Sequence, residues 1–170
     1  MELADLTSSR ASANGMISVK VCVLKVDNDK ANLDELAASV AAGRTVEGWE
    51  MPKHAEPGDL AVWYASDPKQ DYVAWGWVAG IPTPGFRGSL RRYTGPVAGM
   101  RSIEPLSRID VAAASGFNRD PNSVVPQPQT VPPRMAGNFL RALGLDPELL
   151  EVISAEVAAV LRGSLLQQRP

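Results

Sequence analysis

The amino-acid sequence predicts an α+β domain: a small sheet of about five or six short strands curled into a barrel or pseudo-barrel, flanked by helices and closed by a C-terminal helix. Three observations predict it. Alternating apolar runs follow one another, with one helical pattern after the first run and the remaining helical patterns late in the chain. Consecutive strands joined by polar turns favour hairpins over parallel βαβ units. Strands this few and short hide their edges best by curling, and no fixed-period repeat offers another architecture.

The first strand lies in "MISVKVCVLKV", with Val19, Val21 and Val23 on one face and Lys20, Cys22 and Leu24 on the other. In "NLDELAASVAAG", Asn32 and Glu35 have capping-box spacing, Leu33, Leu36, Ala37 and Val40 share a helical face, and Gly43 stops the helix. A Pro-Gly turn feeds a strand from Leu60 to Ala65, and after the polar turn "SDPKQ" the run "DYVAWGWVAG" returns as its hairpin partner. The Pro- and Gly-dense stretch from Ile81 to Arg101 predicts a long loop. "MRSIEPLSRI" is a short strand that Pro105 restricts to an edge or an end. Asp110 caps a short helix ended by Gly116, and a proline-rich loop leads to a helix opened by Pro133 and closed by Gly144. Asp146 and Pro147 start the last helix, which runs to Gly163 before the tail frays. The expected organisation is a flexible tail over 1–15, a domain over 16–145, and a helix over 146–163 packed on or beside it.

At 170 residues and 45% hydrophobic composition, the chain is long enough for one domain with a core of its own. The net charge of −2 conceals an asymmetry. From Asp27 to Asp71 ten acids face four basic residues, whereas from Phe86 to Arg108 five arginines face Glu104 alone. A basic stripe of this kind suits phosphates, but charge-driven coating of nucleic acid needs a strongly basic protein and is not expected. No apolar run approaches the roughly 20 residues of a membrane span, and the N-terminus has no basic start followed by an apolar stretch. A cytoplasmic protein is the expectation.

Catalytic and metal-binding signatures are sparse. Cys22 is the only cysteine and His54 the only histidine, so neither a disulfide within the chain nor a cluster of soft metal ligands is expected. Nucleophile elbows, zincin motifs and glycine-rich phosphate loops are missing from the sequence. Cys22 sits in an apolar strand, which predicts an inert thiol. The expectation is a protein without cofactor that is not an enzyme.

The tryptophans carry the functional question. Trp63, Trp75 and Trp77 fall within 15 residues, and Trp49 stands a little upstream. Strand alternation puts Val73, Trp75 and Trp77 on one face and Tyr72, Ala74, Gly76 and Val78 on the other, with Gly76 leaving space near Tyr64. Indoles serve cores well. They also offer a planar base a stacking partner worth about 1–3 kcal/mol.

The stretch "GWEMPKHAEPGDLAVWYASDPKQDYVAWGWVAG" resembles the centre of an EVE domain of the PUA-like superfamily, which also holds YTH and ASCH domains. Trp49, Lys53, Gly58-Asp59, Trp63-Tyr64, Ser66 and "AWGWVAG" stand in the family's order. The likeness spans about Val19 to Leu143, with Lys53 where an arginine is usual and "YAS" where "YHS" is usual. It implies a pseudo-barrel that takes a flipped base, methylated or hydroxymethylated, from bacterial DNA or RNA into an aromatic pocket. On this reading Trp49, Trp63, Tyr64 and Trp75 supply aromatic surface, and Lys53, Ser66 and Gln129 supply polar contacts. Arg87, Arg91, Arg92 and Arg101 hold phosphates. A nuclease or other effector is the protein partner such a module would serve. The alternatives are a protein–protein module docking through the last helix, or an enzyme acting on a nucleotide-like molecule with Lys53 and Asp59 as its polar groups.

Overall fold

The computed structural model describes residues 17–26, 30–66, 70–118 and 128–167. The expected tail over 1–15, the polar turn at 67–69 and most of the proline-rich loop (119–127) lie outside the described residues. The fold class is the expected one: among the described residues, a seven-stranded mixed sheet curled into a half-barrel, with four helices.

The sheet is built around β3 (Leu60–Ala65), whose six residues are all buried. On one side β3 runs parallel to β1 (Val21–Val26), and on the other it forms the expected hairpin with β4 (Asp71–Val78). The link from β1 to β3 passes through α1 (Lys30–Ala42) and β2 (Val46–Glu50), as a parallel pair requires a crossover. β4 pairs with the long β6 (Leu90–Ser107), and β6 in turn carries β2 and β5 (Thr83–Arg87). The two-residue β7 (Gln129–Thr130) closes the far edge on β1. The remaining helices are α2 (Arg108–Ser115), α3 (Pro133–Ala142) and α4 (Pro147–Gln167).

Strand alternation divides the interior into two cores. Val21, Val23, Leu60, Val62 and Tyr64 face α2, α3 and α4, where Phe117, Phe139 and Leu140 meet them. Cys22, Leu24, Ala61 and Trp63 face the concave side, which α1 covers with Leu36 and β6 with Val97 and Met100. Burial pushes the Cys22 thiol up to about 12, so it is inert at neutral pH as its strand position implies.

Several local expectations change. The stretch expected as a loop over 81–101 is β5 and the first part of β6, because bulges accommodate its glycines and prolines. Trp75 pairs with Arg101 but Trp77 with Ala98, leaving one extra residue at Gly99, which adopts φ +61°. Tyr72 pairs with Leu106 but Ala74 with Ser102, so Pro105 falls in a second bulge. In β4, Val73 is the extra residue between Tyr72 and Ala74. That bulge sends Tyr72 to the helix side with Trp75 and Trp77, and Val73 to the concave side with Ala74 and Val78. The space expected beside Gly76 is filled by the β6 backbone at Ala98 and Met100.

Helix boundaries shift too. α1 begins at Lys30, ahead of Asn32, and Ala37 is exposed. Ser107, not Asp110, caps α2, accepting the Asp110 amide at 3.2 Å. Asp146 does cap α4, with its Oδ1 accepting the amides of Glu148 and Leu149 at 3.0 and 3.3 Å. The helix continues through Gly163 to Gln167, since a single glycine costs a helix only about 1 kcal/mol.

α4 is fastened to the sheet at Gly58. Ser154 Oγ donates to the Gly58 carbonyl at 2.7 Å, and a Cβ on Gly58 would lie 2.5 Å from Ala158 Cβ. Gly58 also holds φ +92°, so this residue permits both the turn and the contact. A Gly58→Ala variant is expected to lose roughly 2–4 kcal/mol of unfolding free energy in urea denaturation, with Ala158→Gly in the same chain recovering only part of the steric cost, since the Ala158 backbone is close as well.

Candidate functional site

The segment from Met51 to Asp59, between β2 and β3, is irregular yet tied down on every side. Met51 N donates to Tyr93 O at 3.0 Å, and the Met51 side chain covers Gly95, where a Cβ would meet its sulfur at 2.8 Å. Gly58 N donates to Val78 O at 2.9 Å. Lys20, just before β1, donates to the His54 carbonyl and pairs with Asp59 Oδ2 at 3.3 Å. The same Asp59 oxygen accepts the Glu56 amide at 2.8 Å.

Pinned in this way, the segment presents Lys53, His54 and Glu56 to a cleft of about 550 Å³. Ala55 and Pro57 form its apolar part, exposed Ile81 borders it, and Arg162 of α4 supplies a cation from outside the sheet. A second crevice of about 230 Å³ lies between the segment and α4, bounded by Lys20, Asp59, Glu151 and Ser154 and sharing Arg162 with the first. Burial pushes the Asp59 carboxyl above the ordinary carboxylate range, against the opposing pull of the Glu56 amide and Lys20. Among the described residues no group of three or more His, Cys, Asp or Glu gathers to hold a metal ion.

Beside the cleft stands the β5–β6 hairpin. Lys53 Nζ lies 5.9 Å, and Arg91 Cζ 5.5 Å, from the centre of the Tyr93 ring. Register places Phe86 opposite Arg91, so Phe86, Arg91 and Tyr93 share one face. Phe86 is 77% exposed. Arg92, on the other face, meets Glu50 Oε1 at 3.0 Å as an ion pair.

The sequence-predicted aromatics divide between the two sides of the sheet. Trp49 and Trp63 meet edge to face on the concave side, ring centres 5.5 Å apart, with Trp63 sealed and Trp49 half-buried. Neither indole N–H has a hydrogen-bond partner among the described residues. Tyr64 and Trp75 belong to the helix side, where Tyr64 packs on Tyr72 and Trp75 on Trp77. Gln129 pairs with Val23 and so falls on that side as well. Ser66 is half-buried just past the end of β3, its amide bonded to Val26 O at 3.0 Å. One pocket walled by all these groups is therefore not assembled: alternation along β3 separates Trp63 from Tyr64.

The arginines divide similarly. Arg87, Arg91 and Arg92 belong to the hairpin, whereas Arg101 lies over Trp75 at 5.6 Å, ten residues and roughly 30 Å of strand from Arg91. Arg108, part of the basic stripe in the sequence, is buried. His54, Phe86, Tyr93 and Arg162 were not foreseen. Tyr93 carried a signal, an aromatic directly after two arginines, but Arg162 reaches the cleft only through the packing of α4.

No family model and no curated protein matches the chain. Among solved structures it is similar to protein Atu2648 from Agrobacterium tumefaciens, at TM-score 0.54 and 19% identity over 75% of this chain and 94% of that one. Two structures of the ASCH protein from Zymomonas mobilis, one a point mutant, are similar at TM-score 0.48 and 11–12% identity, over 72% of this chain. What the chain shares with Atu2648 is the fold alone, a curled mixed sheet with flanking helices. No described helix is long and apolar enough to cross a membrane.

The raised carboxyl of Asp59 makes a pH-dependent contribution to stability. It favours folding fully below the unfolded value of about 3.9, and the contribution is lost as pH rises through the higher folded-state value. Relative to the unaltered protein, Asp59→Asn is therefore expected to become more stable between about pH 3 and pH 7, read from urea unfolding at each pH. The opposite trend would show that Lys20 and the Glu56 amide outweigh burial.

Proposed function

We propose that this protein is a nucleic-acid-binding module of EVE-like type that reads a modified base, and that it acts by binding rather than catalysis. One observation carries the binding reading: Lys53 and Arg91 gather on the Tyr93 ring at the border of the Lys53–His54–Arg162 cleft. Aromatic rings among cations offer a base a stacking face and a phosphate its counter-charge, without a strongly basic protein overall. A cleft of about 550 Å³ is ample for a nucleobase or nucleotide.

The finer claim, selection of a modified base, draws on half-buried Trp49, since Trp63 is sealed. The Trp49 donor is closed off from solvent, so a base would meet the exposed part of its ring rather than its N–H. A methyl or hydroxymethyl group on that base would meet the Trp49 ring, worth about 1–3 kcal/mol in selectivity. Against catalysis, Lys53 and Asp59 line different cavities, and Asp59 is already engaged by Lys20 and the Glu56 amide.

The test is titration of oligonucleotides with and without modified cytosine or adenine. Tyr93→Ala and Lys53→Ala are each expected to weaken binding roughly tenfold while the melting temperature holds. Trp49→Ala is expected to abolish the preference between modified and plain oligonucleotides. Equal, steeply salt-dependent affinity for all oligonucleotides would remove base reading, and turnover of a modified nucleoside would replace binding with catalysis.

A second reading rests on α4, where Leu149, Val152 and Val160 are all more than half exposed. Such a stripe suits protein docking. If docking is the whole function, charges placed at Leu149 and Val160 abolish partner binding, and Tyr93→Ala has no effect.

A further inference from the structure

The β5–β6 hairpin ends in a form that stacking beside the cleft does not require. Arg87 pairs with Leu90 across a two-residue turn, Gly88–Ser89, with Gly88 at φ +64° as such a turn needs. Near the tip, Phe86 is 77% and Leu90 55% exposed. Because Phe86 pairs with Arg91 and Leu90 is the next residue along, the two apolar side chains project from opposite faces of the ribbon. Large apolar groups exposed on both faces of one turn have no role in the protein's own core.

The base of the ribbon is firmly held. Thr83 pairs with Thr94, Glu50 pairs with Thr94 from the other side, Met51 N bonds Tyr93 O, and Arg92 is tied to Glu50. The tip thus projects from a fixed three-stranded root, with exposed Arg91 beside Phe86 and Lys53 close to Tyr93.

We propose that this hairpin is a wedge that enters a nucleic-acid duplex, Phe86 inserting at a base step, Leu90 packing against the groove from the opposite face, and Arg91 and Lys53 meeting the flanking phosphates, so that the target is double-stranded. The inference rests on the nucleic-acid reading above and adds the strandedness of the target. A two-stranded ribbon fits a duplex groove, and apolar side chains part stacked bases when phosphate contacts hold the wedge in place. The occupant is chosen by charge: cations flank the apolar tip, as a polyanion demands. A base taken into the cleft would leave a gap in the stack that Phe86 is shaped to fill.

The experiment compares duplex and single-stranded oligonucleotides carrying 2-aminopurine beside the recognised position. On the duplex, the intact protein is expected to raise 2-aminopurine fluorescence as stacking is lost. Phe86→Ala is expected to abolish that rise and to weaken duplex binding roughly tenfold or more, leaving single-strand affinity within about twofold. Leu90→Ser is expected to act in the same direction. Since both side chains are largely exposed, thermal melts should be unchanged. Equal weakening on both substrates, or an unchanged fluorescence rise, would overturn the wedge and leave base reading standing. Binding to anionic lipid vesicles that depends on Phe86, with no effect on duplex, would overturn it in favour of a membrane surface. If neither oligonucleotide binds at all, the nucleic-acid reading fails and the wedge fails with it.

Discussion

The structure depends on β3 being apolar on both faces. All six of its residues are buried, so each face needs its own cover. The helices α2, α3 and α4 cover Leu60, Val62 and Tyr64, and the curled concave side with α1 covers Ala61, Trp63 and Ala65. At roughly 25 cal/mol for each Å² of apolar surface removed from water, neither layer can be dispensed with. The parallel pairing with β1 then follows, because β1 is apolar on both faces as well and suits a strand closed in from two sides.

This constraint also sets where chemistry can sit. Neighbouring aromatics on β3 must point to opposite cores, and the Val73 bulge carries Tyr72 over to the helix side. Trp63, Tyr64 and Tyr72 are thereby used in packing, and Trp75 is largely so. What remains for a ligand lies where the sheet runs out: the Met51–Asp59 segment, half-buried Trp49 and the hairpin beyond β2. Irregular backbone there is held by specific bonds to Lys20, Val78 and Tyr93 rather than by a ladder, which frees Lys53 and His54 to face solvent.

Elements with strong local signals were legible in the sequence. β3 runs over the stretch its apolar run marked out, α3 opens at Pro133 and α4 at the Asp146 cap, and the β3–β4 hairpin forms as expected. Elements whose stability comes from long-range pairing were not. β2 contains Gly48 and two glutamates, and β5 and the first part of β6 are interrupted by proline and glycine, so their local pattern reads as loop, whereas the strand expected in "MRSIEPLSRI" is the second part of β6. Bulges defeat the two-residue period in a further way, since one extra residue reverses every later side chain. The alternation of Trp63 and Tyr64 was itself plain in the sequence. Grouping them in one pocket came from the family order and not from strand geometry.

Gly58 explains why the C-terminal helix, which lies outside the family resemblance, belongs to the candidate site. Its positive φ turns the chain into β3, and its missing side chain lets Ala158 approach to a distance no Cβ would tolerate. That contact and the Ser154 bond set the height of α4 against the cleft segment, and one turn beyond Ala158 the helix presents Arg162 to both cavities. A cation placed by a helix of 21 residues is held more firmly than one on a loop. Lys53 and Arg162 line the same cleft from separate elements, one on the sheet side and one on the helix side. With Glu56 as the one acidic residue among the described residues that line it, the two cations leave the cleft net positive although the chain as a whole is acidic.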